Sequence, residues 1–313
     1  MSATAITIGT FDGVHVGHQS LVARARARAS HVIALCFDPH PATMLRPASV
    51  PPRLSTFEQR SEKLRAAGAD EVVRLSPTAD LLDLSPFEFV ERIVKQHAPS
   101  LVIEGQDFRF GKGRAGDVNM LRSLGESFGF EVEIAEPVDV TLTDHHVVRA
   151  SSSLVRWLLS NARVADATLV LGRSYELTGT VVRGDQKGRT INCPTANLAS
   201  DCLAPADGVY AAFGDLGGGR RFPTALSVGT RPTFDGVDRR IEAHLLDFDP
   251  SILPAEYGWT LSIKLVAWIR EQVRFHSIDA LCDQIARDCH RAREFLNPES
   301  LPVSIATRAS TCA

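Results

Sequence analysis

The sequence predicts an α/β chain, with a doubly wound parallel sheet in the first half, then a small antiparallel β-barrel with a terminal helix. Three observations carry this. Up to about residue 168, short apolar β-favouring runs alternate with helix-forming segments, the pattern of strands joined by crossover helices. From about Tyr175 the runs are β-rich and separated by Gly and Pro, a spacing that fits a small barrel. Residues 278–295 then place Leu281, Ile285, Ala292 and Phe295 on one apolar helical side. At 313 residues the chain has room for two domains, 1–168 and 169–296. The stretch 297–313, with little periodicity, reads as a mobile tail.

Each element has its own local reason. Residues 5–8 (AITI) make a first strand, and residues 19–28, rich in Ala and Arg, make the helix after it. The run 31–37 (HVIALCF) is apolar throughout and stopped by Pro39 and Pro41, which fits a strand buried on both faces. Residues 57–67 are helical and 71–75 extended. Ser85 followed by Pro86 is an N-cap with proline at the first helical position. Residues 100–104 form another strand, running into GQDFRFG at 105–111. In the second half, 176–182, 208–213 and 260–266 are the clearest strands.

Composition excludes several classes. A formal net charge of −3 gives no electrostatic case for a nucleic-acid partner. No apolar run reaches membrane-spanning length, and the first eight residues lack the basic start and apolar core of a signal peptide. Six cysteines (36, 193, 202, 282, 289 and 312) contain no C-x-x-C pair, which argues against a zinc ribbon or a thioredoxin-like motif and fits a reducing cytoplasm. Cys282 and Cys289, seven apart, suit helix packing better than chemistry.

Chemistry enters at residues 9–18 (GTFDGVHVGH), a glycine-punctuated turn between strand and helix with His15 and His18 three apart at the helix start. Unpaired N–H groups there make a phosphate seat. Two imidazoles can add hydrogen bonds to charge building on a phosphoryl group. The segment 149–156 (RASSSLVR) offers a serine-capped helix and an arginine fork for phosphate oxygens. In the second half, 179–197 (GTVVRGDQKGRTINCPTAN) has a Gly-rich loop through which backbone N–H groups can approach phosphates. Thr195 and Asn197, two apart, share a face if extended. Taken alone, the Pro-Thr-Ala-Asn run is an ordinary turn and Glu242 an ordinary strand carboxylate.

Together with 37–41 (FDPHP), 105–116, 227–234 (SVGTRPTF) and 241–247 (IEAHLLD), these segments resemble the prokaryotic bifunctional riboflavin kinase/FMN adenylyltransferase family, also called FAD synthetase. The resemblance spans nearly all of residues 5–296 in the family's order. It implies a Rossmann-like nucleotidyltransferase domain with the H-x-G-H signature, then a riboflavin kinase barrel. It implies ATP-dependent phosphorylation of riboflavin to FMN, and adenylylation of FMN by ATP to give FAD and pyrophosphate. His15 and His18 would meet charge at the α-phosphate. Gly9, Phe11, Gly17, Arg149, Ser152, Ser153 and Arg156 would hold the ATP phosphates of that reaction, with Asp38, Asp107 and Phe108 as flavin-side or adenosine candidates. In the kinase half Gly184, Gly188 and Arg189 would cradle ATP, Thr195 and Asn197 would ligate its Mg²⁺, and Glu242 would be the general base. The implied partners are small molecules, with neither nucleic acid nor membrane; oligomeric state stays open.

The sequence departs from the family pattern in three places. Asn192-Cys193 stands where the family usually has Gly-Phe, removing an aromatic and a permissive glycine beside the ATP loop. Gln272 replaces the Glu of the usual Arg-x-Glu-x-Arg-Phe. The first strand begins almost at once, where relatives usually carry a short leader. Two narrower readings therefore stay open at this point, an adenylyltransferase with an impaired kinase half and a flavin-binding regulator without catalysis.

Overall fold

The computed structural model describes residues 3–184, 188, 193–230, 239–253 and 255–297, and each half of the chain builds its own sheet. The chain divides into two compact units, Met1–Val155 with Val170–Gly172, and Arg156–Leu169 with Arg173–Ala313. Nearly all of the stretch expected to be a mobile tail lies outside the described residues.

In the first unit, β1 (Thr4–Gly9), β2 (His31–Phe37), β3 (Glu71–Leu75), β4 (Leu101–Gly105) and β5 (Glu131–Ala135) form a parallel sheet in the order β3-β2-β1-β4-β5. The unbroken apolar run of β2 has a simple cause. Val32, Ala34 and Cys36 face one core with Val22 and Ala25 of α1 (Val16–Arg28) and Leu64 of α2 (Phe57–Ala66). Ile33 and Leu35 face the other, with Phe89, Val90 and Ile93 of α3 (Pro86–His97) and Leu121 of α4 (Val118–Phe128). A period of two over two buried faces leaves no polar position. Ser85 and Glu88 close a capping box on α3, and Thr56 and Gln59 do so on α2.

The sequence did not announce α4, β5 or the ribbon of β6 (Asp139–Thr141) and β7 (Val147–Arg149). Gly125 blurs the helical pattern of α4. A Cβ there would meet the Phe130 carbonyl oxygen at 2.7 Å, so close packing of the turn into β5 requires the glycine.

The helices α5 (Ser152–Ser160) and α6 (Val164–Leu171), each divided between the two units, precede the barrel. Strands β8 (Glu176–Val182), β9 (Ala196–Ala199), β10 (Gly208–Asp215), β11 (Arg221–Gly229), β12 (Arg240–Leu245) and β13 (Thr260–Arg270) close in the order β10-β11-β12-β9-β8-β13. Every neighbouring pair is antiparallel, and closure removes the edges. The terminal helix α7 (Ile278–Leu296) packs Ala292 and Leu296 against Ala211, Ala225 and Leu246 of the barrel side. Asp288 is also buried on that helix, forked by Arg270 through Nε and Nη2 at 2.7 to 3.1 Å and bonded by Gln284 at 2.9 Å.

The order of the first sheet reverses between β1 and β4, the position at which open α/β sheets take their ligands. These two strands pair only through Ala5–Leu101 and Ile6–Val102. Past that point the Ile8 N–H donates to the Glu104 carboxyl at 2.5 Å. Glu104 is 2% exposed, and burial pushes its carboxyl well above the ordinary carboxylate range, against the opposing pull of the bond from Ile8. The folded chain therefore holds this proton to higher pH than the unfolded chain does. The stability it contributes is complete below the ordinary value of 4.5 and is lost as pH rises through the folded value. Glu104→Gln keeps the acceptor for Ile8 and cannot ionise. The variant is expected to melt above the parent at about pH 8 and to lose that advantage near pH 4, as thermal unfolding at the two pH values would read.

Candidate functional site

In the first unit the loop from β1 to α1 sets the geometry. His15 is the N-cap of α1, its carbonyl accepting from Gln19 N at 3.1 Å, and His18 follows in the first turn. The two imidazoles stack with centroids 3.6 Å apart and an interplanar angle of 26°. Phe11, buried, sits edge-on to His18 at 5.2 Å. A Cβ on Gly17 would lie 3.1 Å from the His15 ring, and one on Gly9 3.3 Å from the Phe11 ring. Both glycines thus leave room for rings. No acidic residue stands in the first turn of α1, so the positive helix end is not offset locally.

A second set of groups surrounds the end of β2. Arg60, 4% exposed, donates through Nη1 to the carbonyls of Thr10 at 2.6 Å and Phe37 at 2.9 Å, and ion-pairs with Asp38 through Nη2. Arg53 and Arg74 lie 3.6 and 3.5 Å from the same carboxylate. Asp38 is thus encircled by guanidinium groups. Asp107 is exposed, whereas Phe108 stacks on Phe110 with centroids 5.5 Å apart and packs on the β-sheet core.

Of the serine and arginine segment, Ser151 caps α5 by accepting from Leu154 N at 3.1 Å. Ser152 Oγ donates to the Asp12 carbonyl at 2.7 Å, and Ser153 and Arg149 are exposed. Arg156 lies beyond the residue at which the first unit ends.

In the second unit the barrel brings three predicted side chains together. Asn197 on β9 and Glu242 on β12 are register partners, and Thr195 Oγ1 donates to Glu242 Oε1 at 3.4 Å. Asn197 Oδ1 is buried and has no hydrogen-bond partner among the described residues. Gly184 is sterically required, because a Cβ there would fall 2.2 Å from Asn197 Nδ2; at Gly188 it would fall 2.3 Å from the Cys193 carbonyl oxygen. Gly184, Gly188, Thr195 and Asn197 line a cavity of about 340 Å³, together with Phe248, Tyr257 and Trp259. Those three aromatics were not legible in the sequence, because they are scattered over the Pro-containing segment between β12 and β13. Arg189 and Asn192 lie outside the described residues. Cys193 is buried, and burial pushes its thiol up to about 12.

Gln272 spans from the segment after β13 to β11. Its Nε2 donates to Ser227 Oγ at 2.9 Å and to the Val228 carbonyl at 3.1 Å, and Ser227 is the register partner of Glu242. A carboxylate cannot donate. Gln272→Glu is therefore expected to destabilise the barrel by about 1–3 kcal/mol, the cost of leaving a carbonyl acceptor facing another acceptor. All three tryptophans, Trp157, Trp259 and Trp268, belong to the second unit, so their fluorescence in a urea titration reports this transition.

Comparison with known proteins agrees with both halves. A family model described as FAD synthetase matches residues 1–150, and one described as riboflavin kinase matches residues 171–296. The bifunctional riboflavin kinase/FMN adenylyltransferase of Escherichia coli (strain K12) is 35% identical over 93% of this chain and 92% of its own length. That of Listeria monocytogenes is 31% identical over 93% of this chain and 91% of its own. A solved structure from Streptococcus pneumoniae, described as a macrolide-efflux protein, matches with a TM-score of 0.80 and 28% identity, over 93% of this chain and 94% of that one. Among the described residues of this chain, no helix is long and apolar enough to cross a membrane. With a relative 35% identical across nearly its whole length, the chain belongs to the bifunctional riboflavin kinase/FMN adenylyltransferase family.

Proposed function

We propose that this chain makes flavin cofactors in two ATP-dependent steps. Riboflavin becomes FMN with release of ADP in residues 169–296, and FMN becomes FAD with release of pyrophosphate in residues 1–168. The observation that carries the reading is that Thr195 and Asn197, which line one cavity of a riboflavin kinase-like barrel, stand against Glu242, in a chain whose other half stacks His15 on His18 at the helix start after β1.

In adenylylation an FMN phosphate oxygen attacks the α-phosphorus of ATP as the bond to pyrophosphate breaks. The nucleophile is already ionised, so the protein's contribution is alignment and stabilisation of charge. His15 and His18 would donate toward the α-phosphate from the start of α1. Arg149 and Ser153, both exposed, would reach the triphosphate. Ser152 gives its hydroxyl proton to the Asp12 carbonyl, so toward phosphate it serves by holding the loop.

In the kinase half Glu242 would accept the proton of the ribityl hydroxyl as its oxygen attacks the γ-phosphorus. The hydroxyl of Thr195 and the carbonyl oxygen of Asn197 are hard, neutral donors, and the latter is buried without a partner among the described residues. They suit an Mg²⁺ that keeps several waters and phosphate oxygens. Bound there with ATP, the cation would offset phosphate charge. We place this chemistry in the cytoplasm, in keeping with described cysteines that form no disulfide with one another.

The two steps can be separated in one chain. His15→Ala is expected to lower FAD formation from supplied FMN by about 100-fold while leaving FMN formation from riboflavin within about twofold, followed by chromatography of the flavins. Equal loss in both steps would sink the two-site reading. Conversely, Glu242→Gln is expected to slow riboflavin phosphorylation at least about 100-fold and spare FMN adenylylation. Retained kinase activity would remove Glu242 from the role of base.

A further inference from the structure

The loop that carries the two histidines is bent into a shape its residues disfavour. Phe11 has φ 46° and Val14 has φ 42°, on either side of Gly13 at 79°. The left-handed region is unusual for any side chain and a genuine outlier for a β-branched valine. Each such residue costs about 1–3 kcal/mol, and it persists only where the surroundings over-determine it. The strain is therefore held by something outside the loop.

The holding groups come from residues 54–55, which precede α2. The Asp12 carboxylate, 7% exposed, accepts from Leu54 N at 3.0 and 3.1 Å, from Ser55 N at 3.1 Å and from Ser55 Oγ at 3.4 Å. Ser55 Oγ in turn accepts from Gly13 N at 3.0 Å. One carboxylate and one hydroxyl thus bind the two middle residues of the turn to a segment more than forty positions away in sequence. A Cβ at Gly13 would stand 3.0 Å from Leu54 Cδ1, so the Leu54 side chain packs directly over the turn. None of these bonds points to a substrate. Their common effect is to fix where α1 begins, and with it the stacked imidazoles.

We propose that Asp12 and Ser55 are positioning residues for adenylyl transfer, acting through the strained turn 11–14 to set His15 and His18 rather than by touching ATP or FMN. This rests on the reading of the first unit as the adenylyltransferase. A misplacement of catalytic groups by about 1 Å costs on the order of 100-fold in rate. The loss falls on kcat, because the histidines are engaged most strongly by the charge of the transition state.

The full-length chain is the right test object, since riboflavin phosphorylation reports on the second unit in the same sample. Asp12→Ala is expected to lower kcat for FAD formation about 100-fold with KM for FMN within about threefold. Asp12→Asn keeps one acceptor oxygen and is expected to recover about tenfold of that loss, the worth of one restored hydrogen bond. Ser55→Ala is the milder variant should Asp12→Ala not fold, with an expected tenfold loss. Hydrogen exchange gives a second readout independent of turnover: in each variant the amides of residues 13–15 are expected to exchange faster while those of β1 and β2 keep their protection. An unchanged kcat, or unchanged exchange at 13–15, overturns the proposal. So does Asp12→Asn no better than Asp12→Ala with exchange raised across the whole first unit, which would mark a merely structural role. If the parent chain itself forms no FAD from FMN, the functional reading fails instead, and the exchange measurement still decides whether Asp12 holds the turn.

Discussion

Strands β1 and β4 share two register pairs and then part, and the first unit is organised around that separation. A parallel sheet wound in both directions has to open where its order reverses. Here the opening begins after Ile6, and the next outward N–H of β1 finds a side-chain carboxyl instead of a backbone carbonyl. The helix α1 follows β1 after a short loop, so its positive end and both imidazoles come at the carboxyl edge of the sheet. Arg60 completes the frame. By bonding the carbonyls of Thr10 and Phe37 it ties the ends of β1 and β2 together at the side away from the opening.

The second unit meets a different constraint. A closed barrel has no switch point, so its cavity is made by loops and by backbone brought close to side chains. Gly184 and Gly188 supply that closeness, at distances where any larger residue would displace Asn197 or the Cys193 carbonyl. The cross-strand pair Asn197–Glu242 then places an amide and a carboxylate on one face, with Thr195 within reach. Sheet register does here what a helix start does in the first unit.

Much of this was legible in the sequence. The run 31–37 read as a doubly buried strand because both of its faces are apolar, and Ser85-Pro86 marked a helix start because capping is local chemistry. The placing of His15 and His18 three apart at a helix start was legible from their spacing, and Asn197 lies on β9 with Thr195 just ahead of it. Asp12, Ser55, Arg60 and Glu104 were not, since each acts through a partner distant in sequence and looks like an ordinary polar residue where it stands. Ser152 reads differently in three dimensions for the same reason, its hydroxyl proton being engaged by a carbonyl 140 positions away. The face of α7 was found from its hydrophobic spacing, but the carboxylate buried in it was not.

That carboxylate has a consequence for how the last helix docks. Hydrophobic faces are non-directional, and a helix whose apolar stripe includes Leu281, Ile285, Ala292 and Leu296 could slide by a turn and still cover much of the same surface. Asp288 forbids it. Its two oxygens meet the planar fork of Arg270 at one seating, and displacing the helix would strand a charge among methyl groups at a cost of about 3–5 kcal/mol. The ion pair thus serves the barrel less as glue than as an index pin, choosing one alignment among several of similar greasiness.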